Sequence, residues 1–400
     1  MGLNDTPSAD RIHIGFFGRR NAGKSSIVNA VTDQDLAVVS DVKGTTTDPV
    51  YKAMELLPMG PVMIIDTPGF DDEGTLGEMR VRKTKQILNR VDVAVLITDA
   101  AESLESGEEQ LISLFKEKKL PFIIVRNKCD LLETLPVPGE QECLTSAVTG
   151  QGIEELKERM AHLVKTGGEQ KRIVGDLIRP MDVVILVVPI DSSAPKGRLI
   201  LPQQQTIRDL LEAGAAALVV KETELKETFE KLKEKPAMVI TDSQAFATVS
   251  SDTPESVLLT SFSILLARYK GFLEAAVRGA AAIDRLKPED KILISEGCTH
   301  HRQCEDIGTV KIPNWLQEHL GFPVQFETTS GREFPEDLSE YALVLHCGGC
   351  MLTERTMLYR MKCAEDQQIP FTNYGICIAH LQGILKRSLS VFPELLEELE

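Results

Sequence analysis

Residues 18–25 contain the feature that most limits what this chain can fold into. The segment Gly18-Arg19-Arg20-Asn21-Ala22-Gly23-Lys24-Ser25 follows the apolar run Ile12–Phe17 and precedes a helical pattern at 26–32. A strand, a glycine-rich loop and a helix in this order make a P-loop, in which backbone N–H groups at a helix N-terminus surround a phosphate. In such a loop Lys24 neutralises the β- and γ-phosphates, and the Ser25 hydroxyl ligates Mg²⁺.

Two later motifs predict the γ-phosphate and Mg²⁺ side of a nucleotide site. Lys43-Gly44-Thr45-Thr46-Thr47-Asp48 contains a switch threonine, assigned to Thr46, whose hydroxyl and carbonyl sense Mg²⁺ and the γ-phosphate. Asp66-Thr67-Pro68-Gly69 ends an apolar strand, so that Asp66 holds Mg²⁺ through water and the Gly69 amide meets the γ-phosphate. We therefore predict Lys24, Thr46 and Gly69 as the catalytic residues.

The remaining motifs predict guanine as the base. In Asn127-Lys128-Cys129-Asp130 the Asp130 carboxylate can accept from the N1–H and 2-amino groups of guanine, whereas adenine presents an acceptor at N1. Thr145-Ser146-Ala147 forms the loop under the base. All these motifs together predict a Mg²⁺-dependent GTPase. The predicted nucleotide-binding residues are Gly18, Asn21, Ala22, Gly23, Lys24, Ser25, Ser26, Thr46, Asp66, Asn127, Lys128, Asp130, Ser146 and Ala147.

Asn21 and the switch Gly44-Thr45-Thr46 resemble the TrmE-type GTPases. In that family the corresponding Asn helps to bind K⁺, and the resemblance implies K⁺ at Asn21, in place of an arginine finger, to balance the transition-state charge. Phe70 stands after Gly69, where Ras-like proteins have the water-positioning Gln, so water activation must come from elsewhere. The alternative is that Asn21 only stabilises the loop.

The length of the chain predicts more than one domain, because 400 residues exceed what one hydrophobic core usually organises. Apolar runs alternate with helical patterns throughout, which is typical of α/β sheets. We predict an α/β fold: a P-loop GTPase domain at 1–167 followed by two further α/β domains with mainly parallel sheets, at 176–265 and 266–400. The stretch Lys165–Asp176 resembles a linker, and about Glu255–Leu286 is predicted to be helical.

The charge balance limits the partners. The net charge of −16 repels nucleic acid and anionic membranes, so neither is expected as a partner. No apolar run approaches the roughly 18 residues of a membrane span. Because Met1–Asp10 lacks the basic and apolar order of a secretory signal, we expect a cytoplasmic protein with reduced cysteines.

Two clusters of cysteine and histidine follow predicted strands. Cys298-Thr299-His300 follows Lys291–Ser295, and His346-Cys347-Gly348-Gly349-Cys350 follows Tyr341–Leu345. Neighbouring strand ends in a parallel sheet form a crevice, so the clusters can converge. The thiolates of Cys298, Cys347 and Cys350 suit a [4Fe–4S] cluster with one iron left open. A closed zinc site and unligated buried cysteines remain alternatives.

The other cysteines and histidines have simpler interpretations. We expect core positions for Cys129, Cys143, Cys363 and Cys377, whereas Cys304 is ambiguous because it lies close to Cys298. His301 and His380 are expected at the surface or in the core rather than as metal ligands.

The combination of a TrmE-like P-loop domain with Cys298-x-His300 and His346-Cys347-x-x-Cys350 resembles the HydF family of [FeFe]-hydrogenase maturation GTPases, over essentially the whole chain. The resemblance implies a scaffold that receives a di-iron precursor from radical-SAM partners and delivers it to apo-hydrogenase. It implies Cys298, Cys347 and Cys350 as [4Fe–4S] ligands, with His300 and His346 beside them or as a labile fourth ligand. It also implies a dimerisation domain at 176–265 and an iron–sulfur domain at 266–400.

A competing interpretation is a translation- or tRNA-associated GTPase with a structural zinc site. The TrmE-like P-loop favours it, whereas the net charge of −16 counts against RNA.

Overall fold

The computed structural model describes residues 10–34, 49–67, 87–165, 171–190, 199–297, 306–331 and 334–396. The chain divides into two compact units, Met1–Glu169 and Gln170–Glu400. Each unit is built on sheets that are wholly or mainly parallel, with one sheet in the first unit and two in the second. The predicted fold class, a P-loop domain followed by two further α/β domains, is confirmed. The three predicted domain ranges stay a prediction.

The first unit contains a six-stranded sheet in the order β2-β3-β1-β4-β5-β6. Only β2 runs antiparallel, against β3. The strands are β1 Ile12–Gly18, β2 Val50–Leu56, β3 Gly60–Asp66, β4 Val93–Asp99, β5 Phe122–Asn127 and β6 Glu142–Leu144. The helices described in this unit are Lys24–Thr32, Ser106–Glu117 and Ile153–Lys165.

Strand β1 lies inside this sheet because both of its faces are apolar. Ile14 and Phe16 belong to one core layer, and Phe17 belongs to the layer that contains Phe115. Successive side chains of a strand point to opposite faces, so a strand buried on both faces reads as a continuous apolar run. The sequence therefore predicts β1, β3, β4 and β5. It does not predict β2, whose residues are mostly exposed or half-buried.

The second unit contains two four-stranded parallel sheets, in the orders β10-β9-β7-β8 and β12-β11-β13-β14. The strands are β7 Val183–Val187, β8 Ala216–Val220, β9 Met238–Thr241, β10 Leu258–Ser261, β11 Lys291–Glu296, β12 Gln325–Ser330, β13 Leu343–His346 and β14 Phe371–Asn373. The α-helices are Leu201–Glu212, Leu225–Lys231, Phe246–Asp252, Phe262–Tyr269, Leu273–Ala281, Ile312–Leu320, Glu354–Glu365, Tyr374–Leu381 and Leu385–Ser388.

Two expectations for this unit are wrong in part. The segment predicted to be helical from about Glu255 begins with strand β10, since a short buried apolar run cannot be told from a helix by periodicity. Ser261 ends that strand, and its hydroxyl caps the next helix by accepting from the Ile264 N–H at 3.2 Å. The predicted linker Lys165–Asp176 is packed rather than free in its described second half, where Ile173 and Val174 are buried.

One hydrophobic cluster includes residues of both sheets of this unit, among them Val184 and Leu345. The helix Leu273–Ala281 packs directly on β14 at Gly279, where a Cβ would lie 2.0 Å from the Phe371 carbonyl oxygen.

Within the described part of the chain, every helix is too short or too polar to cross a lipid bilayer.

Candidate functional site

The P-loop joins β1 to the helix Lys24–Thr32 through two residues with positive φ. Asn21 has φ 63° and Gly23 has φ 86°. Gly23 is required for a second reason, because a Cβ there would lie 2.2 Å from Nδ2 of Asn127. The helix has no acidic residue in its first turn, so the positive end of its dipole stays available to an anion.

Lys24 and Asp66 lie side by side at this loop and form an ion pair. Their proximity follows from the sheet, since β1 and β3 are parallel neighbours with Phe16 opposite Asp66. The Thr67 hydroxyl donates to the Phe16 carbonyl at 2.7 Å and holds the end of β3 against β1. The groups predicted to neutralise phosphate and to hold Mg²⁺ are thus adjacent.

Asn127, at the end of β5, connects the P-loop to the loop predicted to lie under the base. Its side-chain Nδ2 donates to the Ala22 carbonyl at 3.0 Å, and its Oδ1 accepts from the Ala147 N–H at 3.2 Å. The Ser146 hydroxyl accepts from the Thr149 N–H at 3.1 Å and shapes the same loop.

Lys128 and Asp130 follow Asn127 at the edge of this loop. Lys128 pairs with Asp99 at 2.8 Å, and this interaction lowers the pKa of the Asp99 carboxyl against the effect of burial. Asp130 is exposed in the turn Cys129–Leu131, where its carboxylate can reach a ligand.

Side-chain contacts join the P-loop to Asp66 through Lys24 and to Ala147 through Asn127. The residues predicted for nucleotide binding that the structure describes are Gly18, Asn21, Ala22, Gly23, Lys24, Ser25, Ser26, Asp66, Asn127, Lys128, Asp130, Ser146 and Ala147. Thr46 and Gly69 lie outside the described residues.

Arg19 is a P-loop residue that the motifs did not assign. Its Nε donates to Glu108 at 3.0 Å and its Nη2 donates to Glu102 at 2.6 Å, and it also pairs with Glu105. Although burial opposes the charge, the hydrogen bonds to Glu102 and Glu108 raise the pKa of Arg19. Glu102 lies in the bend before the helix Ser106–Glu117, Glu105 is the N-cap of that helix, and Glu108 is in its first turn. Because the contact depends on how this segment packs beside the P-loop, no sequence signal identifies it.

The second predicted site lies where β11 and β13 end. These strands are parallel neighbours with Ser295 opposite His346, so the segments that follow them emerge side by side. The Gly297 N–H donates to Sγ of Cys347 at 3.0 Å, and the Gly349 N–H donates to the same sulfur at 3.4 Å. Gly297 directly precedes Cys298, which lies with His300, His301 and Cys304 outside the described residues.

Cys347 and Cys350 are half-buried residues, and protein atoms surround most of each thiol. Burial raises the pKa of Cys347 to about 11, although the two N–H donors act in the opposite direction, and burial also raises the pKa of Cys350. A thiolate here therefore needs a neighbouring cation. Donors already directed at Cys347 fit a metal-bound thiolate, because N–H···S bonds stabilise sulfur ligands of clusters.

His346 is completely buried and bonded through both ring nitrogens. Nε2 of His346 lies 2.9 Å from Nη1 of Arg360, which can only donate, so Nδ1 carries the proton and donates to the Cys347 carbonyl at 2.6 Å. Burial, and then the positive charge of Arg360, lowers the pKa of His346 to about 3. The ring is therefore neutral and fixed in one tautomer.

Three further residues near this site carry no motif. Lys270, 4% exposed, donates to the carbonyls of Gly349 and Leu352 at 2.6 and 2.5 Å. Arg360 also donates to the Ser295 hydroxyl at 3.2 Å, and the Tyr374 hydroxyl donates to Glu296 at 3.3 Å. Burial raises the pKa of Tyr374. Lys270 follows the helix Phe262–Tyr269, Arg360 lies within the helix Glu354–Glu365, and Tyr374 begins the helix Tyr374–Leu381. No sequence signal distinguishes them from other polar residues of these segments.

The remaining described cysteines are where they were expected. Cys129, Cys143 and Cys377 are buried in core positions, and Cys363 is half-buried on the helix Glu354–Glu365.

Thr145 Oγ1, in the loop predicted to lie under the base, is buried with no partner among the described residues.

Three models of known families match the chain. The hydrogen maturase F dimerization domain matches residues 173–271, and the hydrogen maturase F tetramerization domain matches residues 274–391. Together these two matches cover more than half of the chain. The 50S ribosome-binding GTPase model matches residues 13–128, so the first unit is a GTPase domain of the P-loop class.

The curated relatives that match are similar over the GTPase domain. The tRNA modification GTPase MnmE of Nostoc sp. is 32% identical over 167 residues, which are 40% of this chain and 36% of that protein. The protein of the same name from Xanthomonas oryzae pv. oryzae is 33% identical over 162 residues, with 40% and 35% covered. The chain thus spans about a third of the length of these relatives.

A solved structure of a probable GTP-binding protein engB is 22% identical and has a TM-score of 0.32. The match covers 38% of this chain and 99% of that chain.

Proposed function

The chain belongs to the hydrogen maturase F family, and from this membership we propose that it is a GTP-hydrolysing scaffold for metal-cluster assembly. In this function it binds a [4Fe–4S] cluster and delivers a di-iron precursor to apo-[FeFe]-hydrogenase. The precursor is cargo that radical-SAM maturases supply. The chain acts as a homodimer or a higher oligomer, in keeping with its dimerization and tetramerization domains.

The observation that carries this proposal is the contact between the two strand ends. The Gly297 N–H donates to Sγ of Cys347 at 3.0 Å, and Gly297 is the residue before Cys298 in the sequence. This contact between the ends of β11 and β13 supports our assignment of cysteines about fifty positions apart in sequence to one inorganic centre.

We assign Cys298, Cys347 and Cys350 as the ligands, with Gly297 and Gly349 as N–H donors to Cys347. When bound, the cluster supplies an iron with an exchangeable position at which the cargo can attach. His346 has both ring nitrogens occupied, so its role is to orient the Cys347 backbone rather than to ligate iron. His300 is left as the histidine for a labile fourth position.

In the GTPase domain, Ser25, Thr46 and Asp66 hold Mg²⁺, directly or through water, and Lys24 neutralises the phosphates. Asn21 binds K⁺ beside them and supplies the charge compensation that an arginine finger gives elsewhere. The main-chain amide of Gly69 meets the γ-phosphate. Nucleotide hydrolysis is the only turnover we assign, since the cysteine site acts as a carrier.

The test is iron and sulfide analysis after anaerobic reconstitution, together with the absorption spectrum. We expect about four irons and four sulfides per wild-type chain and a broad band near about 400 nm. The Cys347→Ser variant should lose most of the iron and sulfide and most of the absorption band. Cys363→Ser, on a helix of the same unit, is the matched control and should keep them.

If the Cys347→Ser variant binds as much iron as the wild-type chain, the proposal is wrong. One tightly held zinc per chain without sulfide would instead favour the zinc-stapled alternative. That alternative, a tRNA-associated GTPase, is weakened because the matches to tRNA modification GTPases cover only about 40% of this chain, whereas hydrogen maturase F domains match the rest.

A further inference from the structure

Two histidines and an aspartate meet on the second unit, although they come from three separate elements. Asp284 lies in the turn Ile283–Arg285, His319 in the helix Ile312–Leu320, and His380 in the helix Tyr374–Leu381. Nε2 of His319 is 2.8 Å from Oδ1 of Asp284, and Nε2 of His380 is 3.1 Å from Oδ2. The three donor atoms lie within 4.8 Å of one another.

The position of this cluster follows from the topology. Helices that connect parallel strands run back against them, so their C-termini lie at the end of the sheet where the strands begin. His319 is in the last turn of such a helix, between β11 and β12, and His380 is in the last turn of the helix that follows β14. Asp284 precedes β11. The cysteine site follows the opposite ends of β11 and β13, so the two sites share no residue.

The electrostatics at this point favour a cation. The C-terminal ends of two helices carry partial negative charge, and the Asp284 carboxylate adds a full one. Burial acts to raise the pKa of Asp284, but the hydrogen bonds to His319 and His380 outweigh it and lower that pKa. The carboxylate is therefore ionised at neutral pH. Asp284 and His319 are about half and one third exposed, so an ion can enter from solvent.

The donor set distinguishes among cations. Imidazole nitrogens suit zinc and other divalent transition metals, whereas Mg²⁺ and Ca²⁺ prefer oxygen ligands. Ligands at about 2.0–2.2 Å from a tetrahedral metal lie about 3.3–3.6 Å from one another. The distances of 2.8 and 3.1 Å between Asp284 and the two imidazoles are already close to that spacing.

We propose that Asp284, His319 and His380 form a binding site for a divalent transition metal, with a fourth position open to water. On binding, the metal would take the place of the Nε2 protons that the imidazoles direct at the carboxylate. Each neutral ring would then carry its proton on Nδ1, and a protonated ring would release one proton to solvent. The sequence predicts His380 at the surface or in the core, and no motif includes His319. Their separation in sequence hides the cluster, since His319 and His380 are 61 positions apart.

Zinc is the probe for the first experiment. The full chain carries the substitutions Cys298→Ser, Cys347→Ser and Cys350→Ser, which remove the thiols of the proposed cluster site as competing zinc ligands. Zinc binding is measured by competition with a chromophoric chelator. We expect one site per chain. Because loss of a partner outside the ligand shell costs about 10–100-fold in affinity, His319→Ala or His380→Ala should weaken binding more than about 100-fold.

His162→Ala, on the helix Ile153–Lys165 of the first unit, is the matched control and should bind zinc unchanged. Circular dichroism verifies that each variant is folded. Zinc binding that neither His319→Ala nor His380→Ala weakens overturns the proposal.

Cobalt in the otherwise wild-type chain gives a second readout that does not depend on the cysteine substitutions. A nitrogen and oxygen site gives visible d–d bands without thiolate charge transfer, and Asp284→Asn should remove those bands. A cobalt spectrum that Asp284→Asn leaves unchanged overturns the assignment. Loss of the cluster proposed at Cys347 would leave these results untouched, so the two proposals fail independently.

Discussion

A buried lysine positions the loop that contains Cys347 and Cys350. Lys270 follows the helix Phe262–Tyr269, and its ammonium group donates to two carbonyls of that loop, those of Gly349 and Leu352. An ammonium group removed from water is costly unless it is fully hydrogen-bonded, so the contact both satisfies the charge and orders the loop. Gly349 itself has φ 63° and leaves no room for a Cβ beside Met357.

Replacement of this lysine tests its structural role. Lys270→Met should lower the free energy of unfolding of the second unit by about 2–3 kcal/mol, because hydrogen bonds to a charged group contribute about 1.5–3 kcal/mol. The single tryptophan, Trp315, lies in that unit and reports its unfolding in urea by fluorescence. Lys226→Met, at an exposed position, should change the free energy of unfolding of the second unit by less than about 0.5 kcal/mol. Equal effects of the two substitutions would contradict the assignment.

At the scale of elements, the segment that begins the second unit is anchored to a helix rather than left as a linker. The Asp209 carboxylate, on the helix Leu201–Glu212, accepts from the N–H groups of Ile173, Val174 and Gly175 at 3.0, 2.8 and 2.7 Å. Three donors on one carboxylate replace the hydrogen bonds that this non-helical backbone would otherwise make with water.

Asp209→Ala therefore leaves three buried or half-buried N–H groups without their acceptor. We expect it to lower the free energy of unfolding of the second unit by about 2–3 kcal/mol, again followed by Trp315 fluorescence. Glu212→Ala, on the same helix, removes only an exposed pair with Arg208 and should cost less than about 1 kcal/mol. The anchoring role would be disproved by an Asp209→Ala protein as stable as the Glu212→Ala protein.

At the scale of the whole molecule, each compact unit has hydrophobic cores of its own. The first unit has one layer on each face of its sheet, with Phe16 in one and Phe17 in the other. The second unit has a large cluster around residues such as Ile292 and a smaller one around Ile185. Cores of this size allow each unit to unfold as a separate cooperative step.

A nucleotide should therefore stabilise the two units unequally. GDP with Mg²⁺ at about 100 times its Kd should raise the free energy of unfolding of the first unit by about 2.7 kcal/mol. Scanning calorimetry should show one transition that moves with nucleotide and another that coincides with the Trp315 signal and stays in place. A Trp315 transition that shifts by the same amount would show that the units unfold together.

The sequence alone determined the parts of this protein that depend on local pattern. The P-loop, the guanine motif and the buried strands of the first sheet are recognisable because a phosphate-binding turn needs Gly23 and Lys24 in immediate succession, and a doubly buried strand must be apolar throughout. The two clusters of cysteine and histidine are also recognisable, because each follows an apolar run that predicts a strand.

Only the tertiary structure decided which distant residues meet. Strand β10 is buried by its neighbour β9 rather than marked by its own periodicity, and nothing in sequence connects Lys270 to Gly349 or Arg360 to His346. Asp284, His319 and His380 come together because three elements end at one side of a sheet. Such contacts depend on how the helices pack back across the strands. The residues next to a given position in the sequence do not indicate that packing.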